Sequence, residues 1–311
     1  MALEFRFDAM KKVAVIVASA RTKRPNVHNG KKHKKLCPFD AGNEALTPQS
    51  TLEIITYSGK PSGKTNWQVR TMENKFPFLS QHQRFEKNKD VTGAFGVHEV
   101  IVETPQHSEQ FENFSKEQQK FVFQAYVNRF EAITKTNGIE YAYLFKNHGK
   151  LGGASIDHEH SQVIGLPFIP EIPLAEYAAN KKSKCNYCTL STSSKNIVFQ
   201  NAEFAVVHPS FSRFGLECWI IPKRHVNSFT SFDEKTAALF MEALQETIRR
   251  IKHATLDYNV AFHASCKKKK IHFHVEVYPH TATWAGLELG TGIIVNQMNE
   301  KMALKVLRSK K

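Results

Sequence analysis

His-Glu-His-Ser-Gln, residues 158–162, is followed by the apolar run Val-Ile-Gly-Leu, and the chain repeats the theme at His-Phe-His-Val-Glu, residues 272–276. What precedes each copy also matches. IEYAYLFKNHG (139–149) and LDYNVAFHASC (256–266) both read as strands rich in aromatic and β-branched residues. Before those come two helical patterns. The first runs from Ser115 to about Thr136, with Ser115 and Gln118 as a capping box and Val122, Tyr126, Phe130 and Ile133 as an apolar stripe. The second runs from Ser231 to about Ala254, with Ser231 and Glu234 as the box and Leu244, Ile248 and Ile251 as the stripe. Each helix follows a histidine, His107 in TPQHSEQFENFSKEQ and His225 in IPKRHVNSFTSFDEK, and far upstream of each lies a short turn with cysteine. Each half therefore runs turn, strands, histidine, helix, strand, His-x-His strand, the signature of an internal duplication. The fold expected is α+β, two duplicated domains spanning 1–174 and 175–311, each an antiparallel sheet with a helix packed on it.

Taking residues at matched places yields two ligand sets: Cys37, Asp40, His107 and His158, then Cys185, Cys188, His225 and His272. The second is Cys2His2, the donor chemistry of tetrahedral zinc, with both thiols on one tight turn. In the first, Asp40 replaces a thiolate with a harder oxygen ligand, so zinc is the cofactor expected at the second site and Asp40 puts its presence at the first in question. Five cysteines are too few for a disulfide scaffold, and Cys218 and Cys266 read as bystanders.

On a strand, residues two apart share a face, so His158, His160 and Gln162 are expected to point the same way. With His158 engaged as a ligand, His160 is left as a neutral imidazole able to attack phosphorus. Gln162 beside it can donate a hydrogen bond to a phosphate oxygen. The same pattern also suits a second metal cluster or a buried polar strand.

The chain has 311 residues and a formal net charge of +14, which favours an anionic partner. No apolar run approaches the length of a membrane span, and a cytoplasmic location is the default expectation. Lys267-Lys-Lys-Lys270 and the overall charge raise a nucleic-acid reading, but no nucleic-acid module accompanies the run, which reads as a solvated loop.

HEHSQ with Asn147 upstream, the Arg21-Thr-Lys-Arg24-Pro turn, Cys37-Pro-Phe followed by Gly42-Asn43-Glu44, and Thr104-Pro-Gln-His107-Ser resemble galactose-1-phosphate uridylyltransferases of the histidine-triad superfamily. In the second half IIPKRH, HFHVEVYP and WAGLELGTG resemble the branch that includes ADP-glucose phosphorylases. The resemblance covers nearly the whole chain and implies two histidine-triad-like domains, the first catalytic. It implies that His160 becomes nucleotidylated, that Gln162 stabilises the intermediate, and that the glutamine favours transfer over hydrolysis. It places Arg21, Arg24, Asn43, Asn147 and Ser155 around the nucleotide and its phosphates, and Glu288 to Gly292, with Gly290 and Gly292 giving close backbone approach, in a loop near the sugar or acceptor. His274 and Glu276 stand where His160 and Gln162 do, and a carboxylate facing phosphate marks that copy as structural. The reaction expected is UDP-glucose:hexose-1-phosphate uridylyl transfer by double displacement. An ADP-sugar or dinucleotide phosphorylase is the nearer alternative and an adenylate-processing, nucleic-acid-binding hydrolase the farther one. The partners are then a sugar nucleotide and a sugar 1-phosphate or phosphate, and a homodimer is the assembly considered.

Overall fold

The computed structural model describes residues 3–23, 36–55, 66–180, 185–193, 195–267 and 269–309. The first half contains β1 (Leu3–Asp8), β2 (Val13–Ala18), β3 (Ser50–Ile55), β4 (Trp67–Glu73), β5 (Val91–Gly93), β6 (Val97–Val102), helix α1 (Lys116–Lys135), β7 (Tyr141–His148) and β8 (His160–Leu166). Helices α2 (Glu171–Asn180) and α3 (Asn186–Ser193) lead into β9 (Ile197–Gln200), β10 (Phe204–Val207), β11 (Cys218–Pro222), α4 (Glu234–Ile251), β12 (Tyr258–His263) and β13 (His274–Pro279). Two short helices, α5 (Gly286–Thr291) and α6 (Glu300–Leu307), follow.

Strands β2, β1 and β5 form a small sheet of their own, and the other ten form one sheet in the order β3-β4-β6-β8-β7-β12-β13-β11-β10-β9. The first five strands of that order and the last five, read inward from the two edges, are the same topology. The α+β duplication legible in the sequence is thus a duplication of strand order. The halves are not separate sheets, however: β7 and β12 pair antiparallel, with Asn147 opposite Asn259 and Phe145 opposite Ala261. The division at residue 174 falls within α2.

Helix α1 packs on β4, β7 and β8, and α4 on β10, β11 and β13. The expected stripes supply the contacts. Val122, Tyr126, Phe130 and Ile133 of α1, and Leu244, Ile248 and Ile251 of α4, are all buried, and each aliphatic or Phe side chain so buried contributes roughly 1.5–3 kcal/mol.

The helix starts differ from the expected boxes. Ser115 Oγ does accept from the Gln118 N–H at 3.1 Å, but Gln118 does not reciprocate. Its amide instead donates to the carbonyls of Gln68 and Glu103, at 2.9 and 2.5 Å, tying helix to sheet. Helix α4 is capped by Asp233, whose Oδ1 accepts from the Thr236 N–H at 2.7 Å. Ser231 belongs to a preceding 3-10 turn and donates to the Ser228 carbonyl. That turn sends Phe229 and Phe232 into contact with Phe273, which moves the helix start downstream. A carboxylate cap there also meets the positive helix terminus.

Candidate functional site

Strand β8 lies between β6 and β7, with Val102 opposite His160 and Phe145 opposite Gln162. Ser161 faces α1, its hydroxyl 2.9 Å from that of Tyr126. By alternation, His160 and Gln162 face the other side of the sheet, where they line a cavity of about 1020 Å³ with Phe39, Met72, Asn74 and Ser155. His158 does not share the strand as expected, because β8 starts at His160. It sits in the preceding segment, where Thr104 O and the Cys37–Asp40 turn hold its ring. Likewise β13 starts at His274, leaving His272 outside it.

The imidazole of His160 is fixed at one nitrogen. Its Nδ1 lies 2.7 Å from the His158 carbonyl, which can only accept, so Nδ1 carries the proton and Nε2 the lone pair. Burial pulls the pKa down to about 4, so the ring is neutral at pH 7. Gln162 is oriented by a residue that the sequence reading missed. His98 is held at both ring nitrogens, with Nδ1 3.3 Å from the Phe78 N–H and Nε2 3.1 Å from Asn74 Nδ2. The same Nε2 lies 2.9 Å from the Gln162 side-chain amide. With one end of its amide held by His98, Gln162 turns the other end to the cavity. A histidine within the valine-rich strand pattern Val97–Val102 was the available signal.

The resemblance-derived binding residues separate into groups. Ser155 lines the large cavity. Asn147 and His160 both line a smaller one of about 290 Å³ with Gln110 and Asp157. Arg21 reaches the cavity wall through Phe76, donating to its carbonyl, with its guanidinium 5.2 Å from the Phe78 ring. Arg24 lies outside the described residues. Asn43 turns toward the Cys37–Asp40 turn, its Nδ2 donating to Cys37 O at 2.8 Å, and does not line either cavity. Glu288, Gly290 and Gly292 line neither cavity, and the expected loop is the short helix α5. The Glu288 carboxylate accepts from the N–H of Ala285 at 2.9 Å and of Val295 at 3.3 Å, a capping duty that nucleates the turn. Only Gly292, at φ 74°, uses glycine's freedom, as the cap ending α5.

Both ligand sets converge. The donor atoms of Cys37, Asp40, His107 and His158 lie within 4.8 Å of one another, as do those of Cys185, Cys188, His225 and His272. His158 Nε2 donates to Thr104 O at 2.7 Å, which leaves Nδ1 as a lone pair 3.1 Å from Asp40 and 3.8 Å from Cys37 Sγ. Burial pushes the Cys37 thiol up to about 12, so a cation there would have to draw off its proton. At the second set Cys188 Sγ lies 3.3 Å from His272 Nδ1 and 3.5 Å from His225 Nδ1. Thiols and imidazole lone pairs turned to one point fit a tetrahedral ion. A third group, Glu176, His263, His274 and Glu276, also converges. Glu176 and His263 escaped the sequence reading. Arg213 pairs with Glu276 at 2.6 Å, so the second copy's carboxylate is neutralised by the protein itself.

Behind β8 lies a charge cluster. Lys146 is buried with Glu103 and Glu159, donating to both carboxylates and approaching the His160 carbonyl at 3.4 Å. Tyr126 and Ser161 hydroxyls complete Glu103, and His148 Nε2 lies 3.1 Å from Glu159. Burial opposes charge on Glu159, but Lys146 and His148 outweigh it and hold the carboxyl well below its usual range.

The family description galactose-1-phosphate uridyl transferase, N-terminal domain, matches residues 1–170. The chain belongs to that family. With its members it is a nucleotidyltransferase. The chain is 29% identical to an ADP-glucose phosphorylase of Arabidopsis thaliana over 98% of its length and 92% of the relative's. It is 25% identical to a galactose-1-phosphate uridylyltransferase of Thermotoga maritima over 98% of both. A crystal structure of an Arabidopsis thaliana ADP-glucose phosphorylase with bound ADP-glucose superposes with a TM-score of 0.78 at 27% identity, covering 99% of each chain. A uridylyltransferase structure, at 24% identity and a TM-score of 0.79, shares the fold. Among the described residues no helix is long and apolar enough to cross a membrane.

Proposed function

We propose that the protein transfers a nucleotidyl group between a sugar nucleotide and a phosphate acceptor through a covalent intermediate on His160. The observation that carries this reading is the His160 Nδ1–His158 O bond, which leaves a neutral Nε2 lone pair on the cavity floor. The lone pair attacks the α-phosphorus, a P–Nε2 bond forms, and the bond to the sugar 1-phosphate oxygen breaks with its electrons leaving on that oxygen. A phosphate oxygen of hexose 1-phosphate or inorganic phosphate then displaces His160. Gln162 donates to a non-bridging oxygen as charge gathers there. UDP-glucose with hexose 1-phosphate is the leading substrate pair. The adenylyl alternative draws support from the ADP-glucose phosphorylase relative, similar over nearly the whole chain. Incubation with UDP-glucose or ADP-glucose labelled in the α-phosphate, followed by isolation of the denatured protein, decides both points. Label should stay on the protein with one base and chase into product on addition of acceptor, and the absence of bound label with either would overturn the covalent reading.

Gln162 separates transfer from hydrolysis. An amide donates without exchanging protons, so the intermediate should persist until an acceptor arrives. Gln162→His should raise the ratio of nucleoside monophosphate to exchanged sugar nucleotide. A wild-type ratio already dominated by monophosphate at saturating acceptor would make the protein a hydrolase.

Zinc is proposed as a structural ion held by Cys185, Cys188, His225 and His272, with the Asp40-containing set binding more weakly. Elemental analysis after mild chelation should find a resistant fraction that Cys188→Ser removes. Retention of that fraction in the variant would show the ligand assignment to be mistaken.

A further inference from the structure

Asn147 is flanked on the two sides by different strands. The β7–β8 register, continued two residues past Phe145 and Gln162, brings it beside His160, and across the seam β12 sets Asn259 directly opposite it. The orientation of both amides can be deduced from one backbone atom. Gly152 O can only accept, so the Asn259 atom 2.7 Å from it is Nδ2. The same NH2 lies 2.8 Å from the Asn147 side chain, which must therefore present its oxygen. On the far side Asn259 Oδ1 accepts from His280 Nε2, at 2.5 Å. The anchoring carbonyl has little room to move, since a Cβ on Gly152 would come within 2.2 Å of His148 O. His280 is held in turn by its own N–H to Asp257 O at 2.8 Å and by Phe214, ring centroids 5.2 Å apart. The chain of donors runs His280, Asn259, Asn147, and it ends with Asn147 Nδ2, which donates to no protein group among the described residues.

We propose that Asn259 and His280, both from the second half, are positioning residues that lock the Asn147 amide with its NH2 presented to the cavity beside His160, as a donor for a phosphate oxygen of the substrate. This rests on the nucleotidyl-transfer reading above. Gln162 and Asn147 would then both be held at one end of the amide by a neighbouring side chain, and for Asn147 the oxygen is the end tied back, so that only its nitrogen can meet substrate. An amide turned the other way would offer lone pairs to an anion.

The experiment is a double-mutant cycle on nucleotidyl exchange, with kcat, KM and melting temperature measured for each variant. Asn259→Asp puts a carboxylate where the donor stood and calls the Asn147 NH2 back toward the seam. It should lower kcat by about 10²-fold, with a far smaller change in KM. Asn147→Ala should cost a similar factor, and the double variant should be no slower than Asn147→Ala. The same cycle with Asn259→Ala, which removes the donor without adding charge, is the second arm should the Asp variant fold poorly. His280→Gln, which keeps an N–H for Asn259 Oδ1, should retain most of the rate that His280→Leu loses. Losses that multiply in both arms, tracking melting temperature alone, would overturn the proposal and make these residues structural. Full activity in Asn147→Ala would overturn it while leaving the nucleophile in place, whereas turnover in His160→Ala would remove the parent reading itself.

Discussion

His160→Ala should lower nucleotidyl exchange by on the order of 10⁴-fold or more, since loss of a covalent nucleophile removes the only two-step route. The fold and metal content should be unchanged. The imidazole is buried against β8 but is not a member of either Cys-containing ligand set. Its hydrogen bond to His158 O is a single contact with the backbone two residues away. Melting temperature and bound metal near wild type, together with no label retained after incubation with sugar nucleotide, is the combined result expected. Substantial turnover by the alanine variant would falsify the mechanism whatever its stability.

Removing the Lys146 charge should be the most destabilising change within the sheet. Lys146→Met leaves Glu103 and Glu159, both with fully buried side chains, without their shared cation, and breaking a buried pair from one side costs about 3–5 kcal/mol. That is a large part of a typical domain's stability. Urea unfolding should show the loss directly. Adding Glu103→Gln and Glu159→Gln to the same chain should recover part of it, because a neutral cluster has no stranded charge. A Lys146→Met protein as stable as wild type would mean that the three groups do not act as one ion cluster.

The reach of the sequence reading followed from what is periodic. That His160 and Gln162 share a face was legible because a strand alternates, and the convergence of the two donor sets was legible because the duplication aligns residues that lie far apart in the chain. The α4 cap was misread because Ser231 and Asp233 are both good cap residues, and only the packing of Phe229 and Phe232 chooses between them. The family resemblance placed Glu288 to Gly292 in a loop, while the Glu288 carboxylate closes the segment into a helix. Lys146 and Glu159 were invisible for another reason. A charge within a strand pattern reads as facing solvent, and here it faces across neighbouring strands to its counter-ion. The relay through Asn259 was out of reach altogether, because repetition reveals that two halves exist but not that their inner strands touch.

The β7–β12 ladder bears on how such a protein can be recombined. Its rungs are Tyr258 with His148, Asn259 with Asn147, Val260 with Lys146 and Ala261 with Phe145. A chimaera that kept this first half and borrowed its second from a relative would carry the complete stretch His158–Gln162, yet it would inherit whatever amino acid the donor supplied on the Asn147 rung. Without β12 altogether, the first half would end in a bare strand edge ready to pair with any other chain. The half with the diverged histidine motif is thus bound to the first through β12, and exchanging it would change the partner of Asn147 through a strand that holds neither His160 nor Gln162.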